Sequence, residues 1–267
     1  MQRSHNQVPF EKGDKGGRKK LAKKRSFARQ YYITYINKTM SIDFNAYKDN
    51  YLEEVQRSIA FIGKSADYFI KMKAQFLVNL AQRYLDDTSI LNALDVGCGI
   101  GLTDSYVISS FGELHAIDIA EDLLRKAAQN NSSAHYHIYN GNVFPFPDNT
   151  FDLVFTIGVM HHIPPVDWEN FVQEMYRVTK KGGIAIVFEH NPYNPLTRLA
   201  VKRCKFDADA VLLRKNTVKK LFNRRLLLLE QGYLFFFPFC NTMISCLENK
   251  LKWLPLGAQY YVAGKKM

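Results

Sequence analysis

No stretch of this sequence reaches the roughly 18 uninterrupted apolar residues that a membrane span needs. The nearest, "LLLLEQGYLFFFPF" at 226–239, is broken by Glu230, Gln231 and Gly232 and reads as a helix end followed by a buried strand. The opening "MQRSHNQVPF" has no apolar core of the kind a secretory signal carries. Cysteine is scarce: the four, at positions 98, 204, 240 and 246, form no CxxC pair and no metal-ligand spacing. These absences weigh against a membrane protein, a disulfide scaffold and a zinc module. A reducing, cytoplasmic setting is the simplest expectation, and no metal site is expected.

Acidic residues are in short supply only at one end. The net charge is +11, but residues 1–39 hold eleven Lys/Arg against two Asp/Glu, and the rest of the chain is nearly neutral. "EKGDKGGRKKLAKKR" (11–25) has too little apolar surface to build a core, so residues 1–40 are expected to be a solvated, disordered basic tail, or an extension upstream of Met40. An arm that binds nucleic acid is the alternative. The even charge of the body weighs against nucleic acid as the main partner.

From Ser41 the pattern is that of a folded domain, expected over 41–267. In 41–88, Phe69, Phe76, Leu77, Leu80 and Tyr84 recur at helical spacing, which predicts amphipathic cap helices. Strands are then predicted at 91–96, 113–118, 134–139, 151–157 and 184–189. Helices fall between them at 102–110, 121–129 and 168–179, the last capped by Asp167 and stopped by Gly182-Gly183. Such alternation means a parallel sheet with helices on both faces. The last third predicts a helix near 216–229, a strand at 233–239, a helical stretch at 243–252 and a strand at 257–263.

"NALDVGCGIG" (92–101) carries the first chemical signal: a strand ending at Asp95 and a turn with Gly97, Gly99 and Gly101. In a doubly wound sheet, ligands sit where the first strand turns into its helix. A dinucleotide fingerprint needs G-x-G-x-x-G, and position 102 is leucine. The tight G-x-G-x-G form instead lets backbone lie against a cofactor without a pyrophosphate. Asp118 ends the second strand, where a carboxylate can accept from both hydroxyls of a ribose; serving NAD or capping a helix are the alternatives.

Together with "GNVFPFPDNTFDLVFTIGVMHHI" (141–163), these features resemble the class I S-adenosylmethionine-dependent methyltransferases of the small-molecule, type 11-like group. The resemblance runs over about 41–191. It implies a Rossmann-like seven-stranded sheet with an antiparallel last strand, helices on both faces, and helical lid segments at the N-terminal and C-terminal ends. It also implies S-adenosylmethionine as cofactor, with Asp95, Gly97 and Gly99 at its methionyl end and Gly101 completing the turn. Asp118 would take the ribose, Ile119, Asn142 and Val143 the adenine, and Ile157 and Gly158 the floor beneath the sulfonium. Phe44 and Tyr51 match a segment that closes over the cofactor. Position 142 is usually aspartate in this group; asparagine still offers its amide oxygen. Lys181 stands where the usual K-P-G-G has proline.

Methyl transfer leaves the protein to orient the acceptor and remove its proton, a task suited to histidine. His161 and His162 follow the fourth strand, and His190 follows the fifth in "FEHNPYNP" with Glu189 available to orient an imidazole. All three are candidates for the base; holding loops by hydrogen bonds is the structural alternative. His135 and His137 share a strand face and read as ordinary core or surface residues. "NPYNP" follows the fifth strand rather than the fourth, which excludes the motif used on planar amino groups. Tyr233, Phe235, Phe236, Phe237 and Phe239 read as buried sheet. Segments 192–215 and 240–256 are expected to form a lid, with Arg198, Lys202, Arg203 and Lys205 as a basic edge opposed by Asp207 and Asp209. The stretch from "FEHNPYNP" to "LPLGAQYY" also looks like bacterial methyltransferases of uncertain substrate, some seen with glycan-assembly enzymes, a hint toward a sugar-like acceptor. The resulting expectation is a monomeric or weakly oligomeric enzyme acting on a small molecule. A nucleic-acid methyltransferase, a nicotinamide-dependent oxidoreductase and a non-catalytic cofactor-binding protein are its rivals.

Overall fold

The computed structural model describes residues 43–237 and 242–267. The basic tail therefore lies outside the described residues, as does Phe239. Two helices, α1 (Tyr51–Ile59) and α2 (Ala66–Leu85), precede the sheet. Ser65 caps α2 by accepting from the Tyr68 amide, and Ala74, Leu77, Leu80 and Ala81 bury its apolar stripe.

Strands β1 (Asn92–Val96), β2 (Glu113–Asp118), β3 (His135–Ile138), β4 (Phe151–Ile157) and β5 (Thr179–His190) are mutually parallel. Between them run α3 (Asp104–Val107), α4 (Glu121–Asn130) and α5 (Trp168–Val178). After β5 come α6 (Pro195–Arg203), α7 (Lys215–Phe222), β6 (Leu227–Leu234), α8 (Thr242–Leu251) and β7 (Gln259–Lys265). The sheet order is β3-β2-β1-β4-β5-β7-β6, with β7 antiparallel to both its neighbours. This is the seven-stranded sheet with an antiparallel last strand that the resemblance implies. No helix among the described residues is long and apolar enough to cross a membrane.

Alternation along β5 builds the two cores. Ile184, Ile186 and Phe188 face the layer with Leu77 and Leu80 of α2, whereas Ala185 and Val187 face the layer with Phe171, Met175 and Phe222 of α5 and α7. Because β1 pairs with both β2 and β4, the strand order reverses beside it, and the carboxyl ends of β1 and β4 open a crevice there.

Two boundaries differ from expectation. Gly182-Gly183 does not stop a helix: α5 ends at Val178 and the chain passes directly into β5. The pair instead carries the register jump at the start of β5, where Phe151 pairs with Thr179 but Leu153 with Ile184. Gly182 sits at φ +82°, and a β-carbon on Gly183 would lie 2.7 Å from the Asp152 carbonyl oxygen. The second difference is "LLLLEQGYL", expected as a helix to about 229 and a strand only from 233, whereas β6 already begins at Leu227. Leu228 and Leu229 pack into opposite cores, a two-residue period that pairing with β7 selects over helix propensity.

Candidate active site

The glycine turn after β1 is shaped by close packing as much as by ligand access. A β-carbon on Gly101, at φ +72°, would stand 2.6 Å from the Asn131 amide nitrogen and 2.8 Å from the Tyr136 hydroxyl. One on Gly97 would run into Val159. Gly99 is less crowded: at φ +56° its β-carbon would meet only the Tyr51 ring and hydroxyl, at 3.7 Å, an ordinary van der Waals contact. Its amide donates to Asp118 Oδ2 at 2.8 Å, and Ala120 donates to Asp118 Oδ1 at 2.9 Å. Burial raises Asp118 above the usual carboxylate range against these bonds, and each oxygen retains a lone pair for a hydroxyl.

Asp95 lies beneath the turn, buried, with Oδ1 lacking any partner. Burial, then the neighbouring Asp104 carboxylate, pushes it well above its ordinary pKa. Burial also lifts Asp104, to about 6, although the Tyr136 hydroxyl donates to it at 2.9 Å. Ile119 and Val143, 53% and 57% exposed, stand at the rim together with exposed Asn142. Tyr51 stacks on Phe206 at 4.9 Å, and Phe44 meets His162 edge-on at 5.2 Å. The N-terminal segment is anchored over α4, where Asn45 accepts from the Asp122 amide and Lys48 pairs with the Asp122 carboxylate.

A cavity of about 510 Å³ opens from this turn. Of the sequence candidates, Tyr51, Asp95, Gly97, Ile157, Gly158, His161, His162 and His190 line it. Gly99, Gly101, Asp118, Ile119, Asn142 and Val143 do not: they form the turn and the rim beside it. Phe235, Phe236 and Phe237, expected within the sheet, line the cavity instead. Strand β6 ends at Leu234 and Phe235 turns out of it at φ +61°.

The histidines form one charged cluster. Residues 160–162 make a single helical turn after β4, and Glu189 of β5 accepts from the Met160 amide at 2.7 Å and from His161 Nδ1 at 2.8 Å. Asp207, in the short turn that follows α6, lies 3.5 Å from His161 Nε2 and 3.3 Å from His162 Nε2. Burial disfavours a charge on His161, but the Glu189 carboxylate and then Asp207 outweigh it and raise its pKa to about 10. His162 and His190 go the other way. Burial, then the His161 charge, lowers them to about 3 and about 4. Asp207 is held at about 2 because hydrogen bonding to His161 and the histidine charges overcome its burial. The donor atoms of His161, His162 and Asp207 all lie within 4.8 Å of one another, a spacing a cation could bridge as a proton does.

The lid's basic edge is spent elsewhere. Lys205 and Arg57 both reach Glu54, and Arg203 lies over the Phe61 ring. Sequence reasoning set Asp207 against that edge; it is buried among the histidines instead. It also passed over Lys73 of α2, which lines the cavity. Their only sequence signals are a carboxylate in the apolar-flanked "CKFDADAV" and a lysine within a helix's apolar stripe. His135 and His137 gather with His115, whose Nδ1 lies 3.2 Å from His137 Nε2, away from the cavity lining.

Residues 94–187 match a family described as a methyltransferase domain. This part of the chain is thus similar to methyltransferase domains. A demethylmenaquinone methyltransferase of Geobacillus stearothermophilus is 36% identical over 106 residues, which cover 36% of this chain and 44% of that protein. Phosphoethanolamine N-methyltransferase 2 of Caenorhabditis elegans is 31% identical over 116 residues, covering 41% of this chain and 26% of that protein. The match thus spans less than half the length of either curated relative. A crystal structure of a SAM-dependent methyltransferase from Archaeoglobus fulgidus superposes with a TM-score of 0.51 at 16% identity, covering 72% of this chain and 94% of that one. The PH0226 protein from Pyrococcus horikoshii OT3 gives 0.54 at 19% identity, covering 76% and 93%. At such identities the structural neighbours establish the fold.

The cofactor of this family is S-adenosylmethionine, and the turn fits it. Asp95 offers a buried, unpartnered oxygen to a cationic group. Asp118 has lone pairs to spare, and the exposed apolar pair Ile119 and Val143 suits a ring.

Proposed function

We propose that this chain methylates a small molecule held in the cavity between the glycine turn and the lid. The observation that carries this reading is continuity: Asp95 and Gly97 of the turn line the same cavity as His161, His162 and His190. S-adenosylmethionine, when bound, supplies an electrophilic methyl group on a sulfonium. The protein's own residues do the rest. Asp118 and Gly99 hold the ribose end, and Asp95 answers the positive charge of the amino acid end. Ile119, Asn142 and Val143 flank the adenine, while Ile157 and Gly158 bound the space from which the methyl group leaves.

Proton removal falls best to His162. Nε2 lies 3.3 Å from the Asp207 carboxylate; in the tautomer that keeps its proton there, Nδ1, buried and without a partner, is left as an acceptor. Its pKa of about 3 keeps it neutral, and it takes a proton only as the acceptor's hydroxyl or amine grows acidic during transfer. His161, charged between two carboxylates, is a positioning residue: it fixes Asp207, which in turn orients His162. His190, neutral and 3.5 Å from Gln259, lines the same space and is the second choice of base.

The lining favours an acceptor with an apolar body. Val55, Ile59, Phe61, Phe69, Ile70 and Phe235 give the chamber an apolar stretch beside its polar groups. In this reading residues 41–267 act as one unit in the cytoplasm, as a monomer or weak homo-oligomer without nucleic acid. The test is incubation with methyl-labelled cofactor and fractionated cell extract, followed by mass spectrometry. Label in a small-molecule fraction is the expected result, and label only in nucleic acid would reject the reading.

A further inference from the structure

We propose that the cavity takes an acceptor joining an apolar body to one anionic oxygen group, a carboxylate or phosphate, and that Lys73 holds that anion. The proposal rests on the reading of this cavity as the acceptor chamber and gives that acceptor a chemical class.

Lys73 follows Phe69 and Ile70 by four and three residues, so it continues the apolar face that α2 turns toward the cavity. It is the one lysine or arginine among the described residues lining that space. No described residue gives it a hydrogen bond or ion pair. The charge that acts on it is Glu189, whose oxygens already accept from His161 Nδ1 and from the Met160 and His190 amides. Other cations are committed: Lys205 and Arg57 to Glu54, Arg83 and Lys252 to Glu230. An ammonium set among phenylalanine and isoleucine without a counter-ion is costly, and burial accordingly lowers its pKa, to about 8. A ligand that brings the missing anion removes that cost. An ammonium-bearing acceptor would increase it.

Four eight-carbon probes separate the possibilities: octanoate, octyl phosphate, octan-1-ol and octylammonium, titrated calorimetrically into the full chain. At least one anion should bind about ten-fold or more tighter than octanol, the scale of a charge-assisted hydrogen bond, with octylammonium weakest. The tighter anion identifies the group. In Lys73→Met the preference should vanish while octanol affinity stays within about two-fold. Lys73→Gln should behave alike, and S-adenosylmethionine binding by both variants would show that they fold. Octanol or octylammonium binding as tightly as both anions would overturn the proposal. So would an anion preference that survives Lys73→Met, or no binding by any probe. Cofactor titration of the wild type is the separate control: anion preference without cofactor binding would reject methyl transfer and leave the Lys73 assignment standing.

Discussion

His161 is 2% exposed and lies between Glu189 and Asp207, so two buried carboxylates depend on one imidazolium. Replacement by alanine should cost about 3–5 kcal/mol, the scale for breaking a buried ion pair from one side. The pH signature follows from the direction of the shift. Its folded pKa of about 10 exceeds the ordinary 6.5, so its contribution is complete below pH 6.5 and is lost as pH rises toward 10. Melting temperature should therefore fall across that window in the wild type and fall less in His161→Gln; equal slopes would refute the charged assignment. His162 calls for the opposite result. His162→Ala should lower turnover about 10²–10⁴-fold at nearly unchanged cofactor affinity. Stability loss without loss of turnover per folded molecule would make it structural, and the same kinetic loss in His190→Ala instead would move the base to β5. Both histidines were legible in the sequence because they follow a strand end. Asp207 and Lys73 were not, since each acts only once the lid or α2 is folded against the sheet, a meeting that no local spacing encodes.

At the scale of elements, the glycine turn holds two kinds of glycine that look alike in sequence. A β-carbon on Gly101 would clash with Asn131 and Tyr136, whereas one on Gly99 would make only ordinary contact with Tyr51. Gly101→Ala should lower thermal stability by more than about 1 kcal/mol and leave the remaining folded protein able to bind cofactor. Gly99→Ala should cost about 1–2 kcal/mol for its left-handed backbone, yet lose most cofactor affinity. Thermal melts and calorimetry on the two variants check this, and reversed effects would mean that the cofactor contacts a different part of the turn. Strands β1, β2 and β4 could be read to within a residue or so because buried parallel strands are short apolar runs between turn signals. Strand β6 could not. Its leucines suit either a helix or an edge strand, and only the partner β7, some 30 residues on, decides between them.

In the whole molecule, the sheet brings residues from distant parts of the sequence to one crevice beside the reversal of strand order, and α1, α2, α6 and the aromatic exit of β6 roof it over. Sequence spacing points to the cofactor half, where the candidate residues are concentrated in one turn and one strand end. It was not enough for the acceptor half, which is assembled from 41–86, 192–215 and the end of β6 by tertiary packing alone. The central claim is that this crevice is built for S-adenosylmethionine. Leu102 denies it the third glycine of a dinucleotide site, and Asp95 keeps a buried oxygen free for a positive charge. Calorimetric titration of the full chain with S-adenosylmethionine and with NAD tests this most directly. We expect S-adenosylmethionine to bind, NAD to bind far more weakly or not at all, and Asp118→Ala to lose about 1–3 kcal/mol of cofactor affinity. NAD binding as tight as or tighter than S-adenosylmethionine, or no binding of S-adenosylmethionine, would contradict it.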